Sequence, residues 1–491
     1  MRPWVDPDRS FWVRRPRTKG AWTKLAREYT EDEERRPLDQ VLAVAREGGC
    51  RTVVIENRYV DVDYRSEFTA FWSLKFDNQS SFARRMHFFA ADLDEGRLHN
   101  LSEKERKSYL GYSIIRPVPH GRVGRTVLAP PPELDGATLT PIVDEVSFFG
   151  NPLQVEGVPF CEQDSEFLRC AHAAVWICHY TAARRGHVGR RSTAQIVERS
   201  PTGLSPKRAL PSPGLNLNQL QFVFGELDQP AIHYGMSHLP HVIGVEEPAC
   251  PDEEDAKEET PAGLWDTRMN SIICRYLNSG FPVLIGAEEH AFVLVGWRRD
   301  DEGQVQFIGC DDRVGPYEVI SSPFEHYMKP WESIMIPLPP KVYLSGESAE
   351  GRAHEVLTSF AEQAEQAEEL RHIGEGLADG SIELRSTLRT CAAYKRDIGD
   401  LTRSEATRSA LRHARLPHWI WVVEAHKKDL CAKGKPCVVA AAVLDSTAFG
   451  VKPPLDILAM PGMVTVYPPD EGKVVQRNGG AAPWGSLLEV H

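Results

Sequence analysis

Apolar and polar residues alternate between Thr52 and Trp72, where Val60, Val62 and Tyr64 interleave with Asp61, Asp63 and Arg65. This period of two predicts a half-buried β-strand. Further strands are expected at Met86–Ala90 and Tyr112–Arg116, and the Pro-rich stretch Ala129–Leu134 closes a first, β-rich or α+β region ending near residue 150. A second region, 151–345, opens with a strand at Leu153–Phe160. A helical pattern then runs from about Ser165 to Arg185 and stops at Gly186, a residue suited to the left-handed cap. A Pro/Ser/Gly-rich loop, SPTGLSPKRALPSPG, leads to a short helix at Asn216–Phe224. The acidic stretch Glu246–Pro261 lacks large apolar residues and reads as a solvated surface loop. After a helix at Asp266–Ser279 come strands at Phe281–Ala287, Ala291–Trp297, Gln304–Gly309 and Ser333–Leu338. The third region, 346–491, begins with a helix over Glu347–Leu370, continues helical to about Arg412, and ends with strands at Trp419–Ala425 and Cys437–Leu444. The expected layout is thus three domains, 1–150, 151–345 and 346–491, of α+β class.

Length and charge narrow the function classes. A chain of 491 residues exceeds one ordinary core. A net charge of −12 argues against a general nucleic-acid binder, although the first 36 residues form a basic tail. The longest apolar run, Cys437–Leu444, is far shorter than a membrane span, and the N-terminus has no apolar core of a signal peptide. Ten cysteines at irregular spacing do not read as a disulfide framework, so a cytoplasmic location with free thiols is expected. Glycine-rich phosphate loops are absent, and no cofactor is expected.

Three texts in the second region carry chemistry. In CEQDSEFLRCAHAAVW, Cys170 lies in the first turns of the expected helix, where the helix N-terminus favours a thiolate by about 0.3–1 kcal/mol. Gln163 upstream is placed to donate to an oxyanion. In EEHAFVLVGW, His290 heads an apolar strand and is a candidate base. In VQFIGCDDRVGPY, Asp311 and Asp312 end the next strand, where an adjacent antiparallel partner would bring a carboxylate to the imidazole. Side chains alternate along a strand, so only one of the two is expected on His290's side.

These texts resemble the papain-like cysteine peptidase superfamily, in particular its bacterial double-glycine leader peptidase-like branch, over residues 155–340 only. The resemblance implies a papain-like core, a nucleophile helix packed on an antiparallel sheet, flanked by N- and C-terminal α+β domains. It implies Cys170 as nucleophile, His290 as base, Asp311 as orienting acid with Asp312 as the alternative, and Gln163 with the Cys170 N–H at the oxyanion. Two departures stand out: Gln163 lies seven residues before Cys170 where the family has six, Asp164 taking that slot, and Arg169 precedes the cysteine. The implied reaction is hydrolysis of a peptide or isopeptide bond in a peptide or protein substrate. A transglutaminase-like acyl transfer and a catalytically inactive binding scaffold stay open, as does a protein partner for the flanking domains.

Other clusters have plainer readings. Cys161, Cys170, His172, Cys178 and His179 lack paired zinc-ligand spacing, and Cys178 and His179 point to different helix faces. Cys431 and Cys437 flank a KGKP turn, which reads first as a turn between strands, with metal or redox pairing as the lesser reading.

Overall fold

The computed structural model describes residues 10–30, 36–76, 79–200, 214–235, 262–320, 325–326, 329–363, 368–398, 405–448, 455–460, 463–467 and 475–478. The expected acidic loop Glu246–Pro261 lies outside them, as does nearly all of Ser200–Gly214. Among the described residues the chain is mixed α and β, with thirteen α-helices and three antiparallel sheets. It divides into two compact units: residues 1–236 with 280–339, and residues 237–279 with 340–491.

In the first unit, strands β1 (Phe11–Arg14), β2 (Thr52–Tyr59), β3 (Ala83–Phe89), β4 (Tyr109–Ile115) and β5 (Val123–Leu128) form a meander. The short β6 (Thr138–Leu139) leaves it for the second sheet, while β7 (Ile142–Phe148) and β8 (Asn151–Phe160) complete seven strands in the order β1-β2-β3-β4-β5-β8-β7. The second sheet contains β9 (Ala231–Gly235), β10 (Val283–Ala287), β11 (His290–Arg299), β12 (Val305–Asp311), β13 (Gly315–Ile320), β14 (Glu325–His326) and β15 (Lys329–Pro337). Its central order is β13-β12-β11-β10-β15-β14, with β6 on β11 and β9 on β15.

One apolar core serves both sheets, running from Trp12 and Val54 through Trp176 to Val293 and Met335. The expected boundary near 150 therefore does not separate compact units. The strand after it, β8, pairs with β5, and the Tyr317 hydroxyl donates to Leu128 O at 2.7 Å while accepting from Val158 N at 2.9 Å.

Several local expectations are corrected. The alternating text after Tyr59 is not strand but a helix, Val62–Ala70: Asp61 caps it, its carboxylate accepting from the N–H groups of Asp63 and Tyr64 at 3.0 Å. Asp63, Tyr64 and Glu67 then share its buried face. The helix expected from Ser165 starts at Cys170, because Asp164 holds the preceding turn out of helical geometry.

In the second unit, helices Gly346–Gln363 and Glu368–Ala378 are followed by a strand where helix was expected, β16 (Ile382–Thr390). It pairs along its whole length with β17 (Trp419–Lys427), and β18 (Val438–Asp445), β19 (Leu455–Met460), β20 (Met463–Val466) and β21 (Val475–Asn478) extend the sheet in sequence order. The KGKP segment is indeed a connection between strands, β17 and β18. Cys431 and Cys437 are disulfide-bonded within it, against the expectation of free thiols throughout.

Candidate active site

Cys170 is the first residue of the helix Cys170–Arg184. The small residues Ala171, Ala173 and Ala174 are buried and let this helix lie close against β11. Trp176 and Tyr180 stack at 4.8 Å and anchor it.

The turn before the helix is built by charge. Asp164 Oδ1 accepts from the N–H groups of Glu166, Phe167 and Leu168 at 3.0, 2.7 and 2.9 Å. Beside it, the buried Arg116 guanidinium donates to Glu67 at 3.0 Å and to the carbonyls of Glu162 and Gly121. Gly121 has φ +60, and a Cβ there would stand 1.6 Å from the Gln163 carbonyl oxygen, so the chain approaches Gln163 closely only because this residue is glycine. The result is a fixed position for Gln163, whose Oε1 accepts from the Cys170 N–H at 3.1 Å. The two groups expected to converge on an oxyanion are thus bonded to each other. Arg116, Glu67 and Gly121 were not singled out in the sequence. Of these supports, only the Asp164-Ser165 pair, good turn chemistry, was a readable signal.

His290 is the first residue of β11 and is buried, following a tight turn in which Glu289 has φ +56. Its Nε2 lies 2.8 Å from Asp311 Oδ2 at the end of neighbouring β12. The other oxygen of Asp311 accepts from Arg313 N at 2.7 Å, which fixes the carboxylate. The backbone N–H groups of Ala171 and of Ala291, the residue after His290, face the Cys170 thiol and favour its thiolate form. Helix start and strand start are thereby brought together although 120 residues separate them in sequence.

Asp312 is also on this side, its Oδ1 3.7 Å from His290 Nε2, beyond hydrogen-bond reach. The expectation that alternation would turn one carboxylate away fails because the register shifts between Gly309 and Asp311 and the chain turns from Asp312 onward.

Electrostatics differ from the simple helix-terminus picture. Burial, and then the charge of Asp312, push the Cys170 thiol up, against the lowering by the backbone N–H groups and Arg313. Burial and the neighbouring Asp311 and Glu162 hold the Asp312 carboxyl well above the usual range. Glu67 is pushed up to about 7, chiefly by burial.

The cluster His290, Asp311 and Asp312 presents one nitrogen and two carboxylates within 4.8 Å of one another, a set able to ligate a divalent cation. The upstream Cys/His group does not converge in this way. His172 sits between Arg169 N at 3.4 Å and Ser200 Oγ at 3.1 Å, and His179 between Gln229 Oε1 at 2.6 Å and Arg191 N at 3.1 Å.

No protein-family model and no curated protein matches the chain. Solved structures do. One is UfSP from C. elegans, at 15% identity and a TM-score of 0.23 over 37% of this chain and 33% of that one. The likeness is weak and spans about a third of each chain.

Proposed function

We propose that the first unit is a thiol hydrolase acting on a peptide or isopeptide bond, with Cys170 as nucleophile, His290 as general base and acid, and Asp311 as the group that orients the imidazole. The observation that supports this reading is the His290–Asp311 bond of 2.8 Å on strands β11 and β12, with the backbone N–H of Ala291, next to His290, facing the Cys170 thiol. Asp311 on Nε2 sets the proton on that nitrogen and leaves Nδ1 as the base. His290 takes the thiol proton and the thiolate attacks the carbonyl carbon. The imidazolium returns the proton to the leaving amine as the carbon–nitrogen bond breaks, and water then cleaves the thioester. The substrate carbonyl replaces Gln163 Oε1 on the Cys170 N–H, and the released Gln163 amide turns to donate its N–H to the same oxygen. The raised thiol favours this coupled transfer over a resting thiolate.

The test is alkylation of the native chain by iodoacetamide with mass mapping, alongside turnover on an acyl-thioester or peptide substrate. Preferential, active-site-directed modification of Cys170 and loss of turnover in Cys170→Ala support the reading. Turnover that survives Cys170→Ala but is lost to a chelator overturns it in favour of a cation on His290, Asp311 and Asp312. Supplying an excess of amine separates hydrolysis from acyl transfer, and absence of turnover with an unreactive Cys170 favours a binding scaffold.

A further inference from the structure

The β17–β18 hairpin of the second unit carries a second cluster of thiol and imidazole side chains. His426 near the end of β17 is fully buried, and its Nδ1 lies 3.5 Å from Cys431 Sγ and 3.6 Å from Cys437 Sγ. Its Nε2 lies 3.1 Å from Oε2 of Glu424, which is also buried. Glu424 and His426 are two apart on one strand and so share a face, and Lys427 N donates to Cys437 O at 2.9 Å where the hairpin closes.

The proton arrangement follows from the partners. A carboxylate accepts only, so the His426 proton sits on Nε2 and the Nδ1 lone pair points at the two sulfurs. A disulfide has no proton to give that lone pair, whereas a thiol has one and a metal ion binds the lone pair directly. The nitrogen–sulfur distances fit a metal, while the two sulfurs, joined as a disulfide, part on reduction to admit one. Zinc–sulfur bonds of about 2.3 Å and zinc–nitrogen bonds of about 2.0–2.1 Å at a tetrahedral angle place nitrogen and sulfur about 3.6 Å apart. A ligating histidine whose other nitrogen donates to a carboxylate is the usual arrangement around such ions.

We propose that Cys431, Cys437 and His426, in the reduced protein, form a binding site for a borderline-soft divalent cation, zinc by preference, with Glu424 positioning His426 and water in the fourth position. The disulfide is the oxidised form of the same site. A thiol or phosphine reductant supplies two electrons, and with two protons the disulfide becomes two thiols. Binding of the cation then releases those two protons and forms two metal–sulfur bonds and one metal–nitrogen bond. Cys431 is partly exposed and offers the cation its way in. The site ties the end of β17 to the start of β18, replacing a covalent clamp with a coordinative one.

The experiment is a cobalt(II) titration of the full chain kept reduced by a phosphine under anaerobic conditions, carried out in the Cys170→Ala background so that the other thiol–histidine pair is silent. Expected are thiolate-to-cobalt charge-transfer and four-coordinate visible bands saturating at one cobalt per chain and bleached by zinc. Cys437→Ser should lose the bands, and Glu424→Gln should weaken binding by about 10–100-fold. A readout that needs no variant at the site follows which cysteines zinc shields from a maleimide, and Cys431 and Cys437 should be the two protected. A disulfide that survives the phosphine, absence of the charge-transfer bands in the reduced chain, or shielding of any other cysteines would overturn the proposal.

Discussion

At the scale of single residues, the candidate site separates two adjacent carboxylates by what they touch. Asp311 has one oxygen on His290 Nε2 and the other on Arg313 N, so it orients the ring and holds the turn at once. Asp311→Asn keeps the turn acceptor but disturbs the imidazole tautomer. It is expected to lower kcat/KM by about 10²–10⁴-fold with little change in Tm, measured by turnover and melting in parallel. Asp312 stands 3.7 Å from the ring, and burial beside Asp311 and Glu162 raises its carboxyl well above the ordinary range. A carboxyl raised in the folded state binds its proton there while the unfolded chain has released it. Wild-type stability from this group is therefore intact below the unfolded value of about 3.9 and falls as pH climbs from there towards the folded value. Asp312→Asn carries no such loss. Its Tm should exceed that of the wild type by a margin that widens between about pH 4 and about pH 7, and a margin that narrows with rising pH would refute this account. The physical reason is that its carboxylate is buried and sits beside another one.

At the scale of elements, the nucleophile helix owes its start to the turn that precedes it. Asp164 gathers three N–H groups, Arg116 binds the carbonyls on either side, and Gly121 permits the close approach to Gln163. Gly121→Ala would force a Cβ into the Gln163 carbonyl and a side chain into left-handed backbone. The backbone alone should cost about 1–3 kcal/mol, and the rate of Cys170 alkylation should change with it, read by denaturant melts and timed labelling. Arg116→Met leaves Glu67 buried opposite Asp164 with no cation. A loss of about 3–5 kcal/mol is expected by urea denaturation, and a loss under 1 kcal/mol would show that Arg116 does not hold this turn. Element by element, the strands carrying His290 and Asp311 were readable because each is a largely apolar run, the first headed and the second closed by a polar residue. The helix Val62–Ala70 was misread because V-D-V-D-Y-R alternates like a strand, and nothing in that period reveals that Asp61 will cap the N–H groups of Asp63 and Tyr64. The strand β16 was missed for the opposite reason, since helix-like text on both sides masks the short alternation of Ile382, Leu384 and Leu388.

At the scale of the molecule, the first 150 residues and the segment bearing the site form one unit, not two. A fragment beginning at residue 151 loses β5, the partner of β8, and the Leu128 carbonyl that binds Tyr317. Residues 151–345 expressed alone should therefore lack fixed near-ultraviolet circular dichroism and be digested rapidly by protease, whereas a chain retaining residues 10–150 should resist. A fragment 151–345 that melts cooperatively would show the original three-part division to be right. Among the described residues no helix is long and apolar enough to cross a membrane, in keeping with the short apolar runs of the sequence.

The sequence by itself determined the local chemistry: a cysteine followed by small residues at a helix start, a histidine heading an apolar strand, a carboxylate pair closing the next one. Such features are encoded within ten residues, where periodicity and turn chemistry act directly on the backbone. Only the tertiary structure decided what these pieces do to one another. It placed Asp311 and not Asp312 within hydrogen-bond reach of His290, and it paired Gln163 with the Cys170 N–H. It raised the thiol by burial and by a neighbouring charge, and it turned Cys431 and Cys437 towards one histidine ring. Each of these rests on distances across turns and between strands or on desolvation. Both are set by how sheets and helices pack, and neither is written in the spacing of residues along one strand.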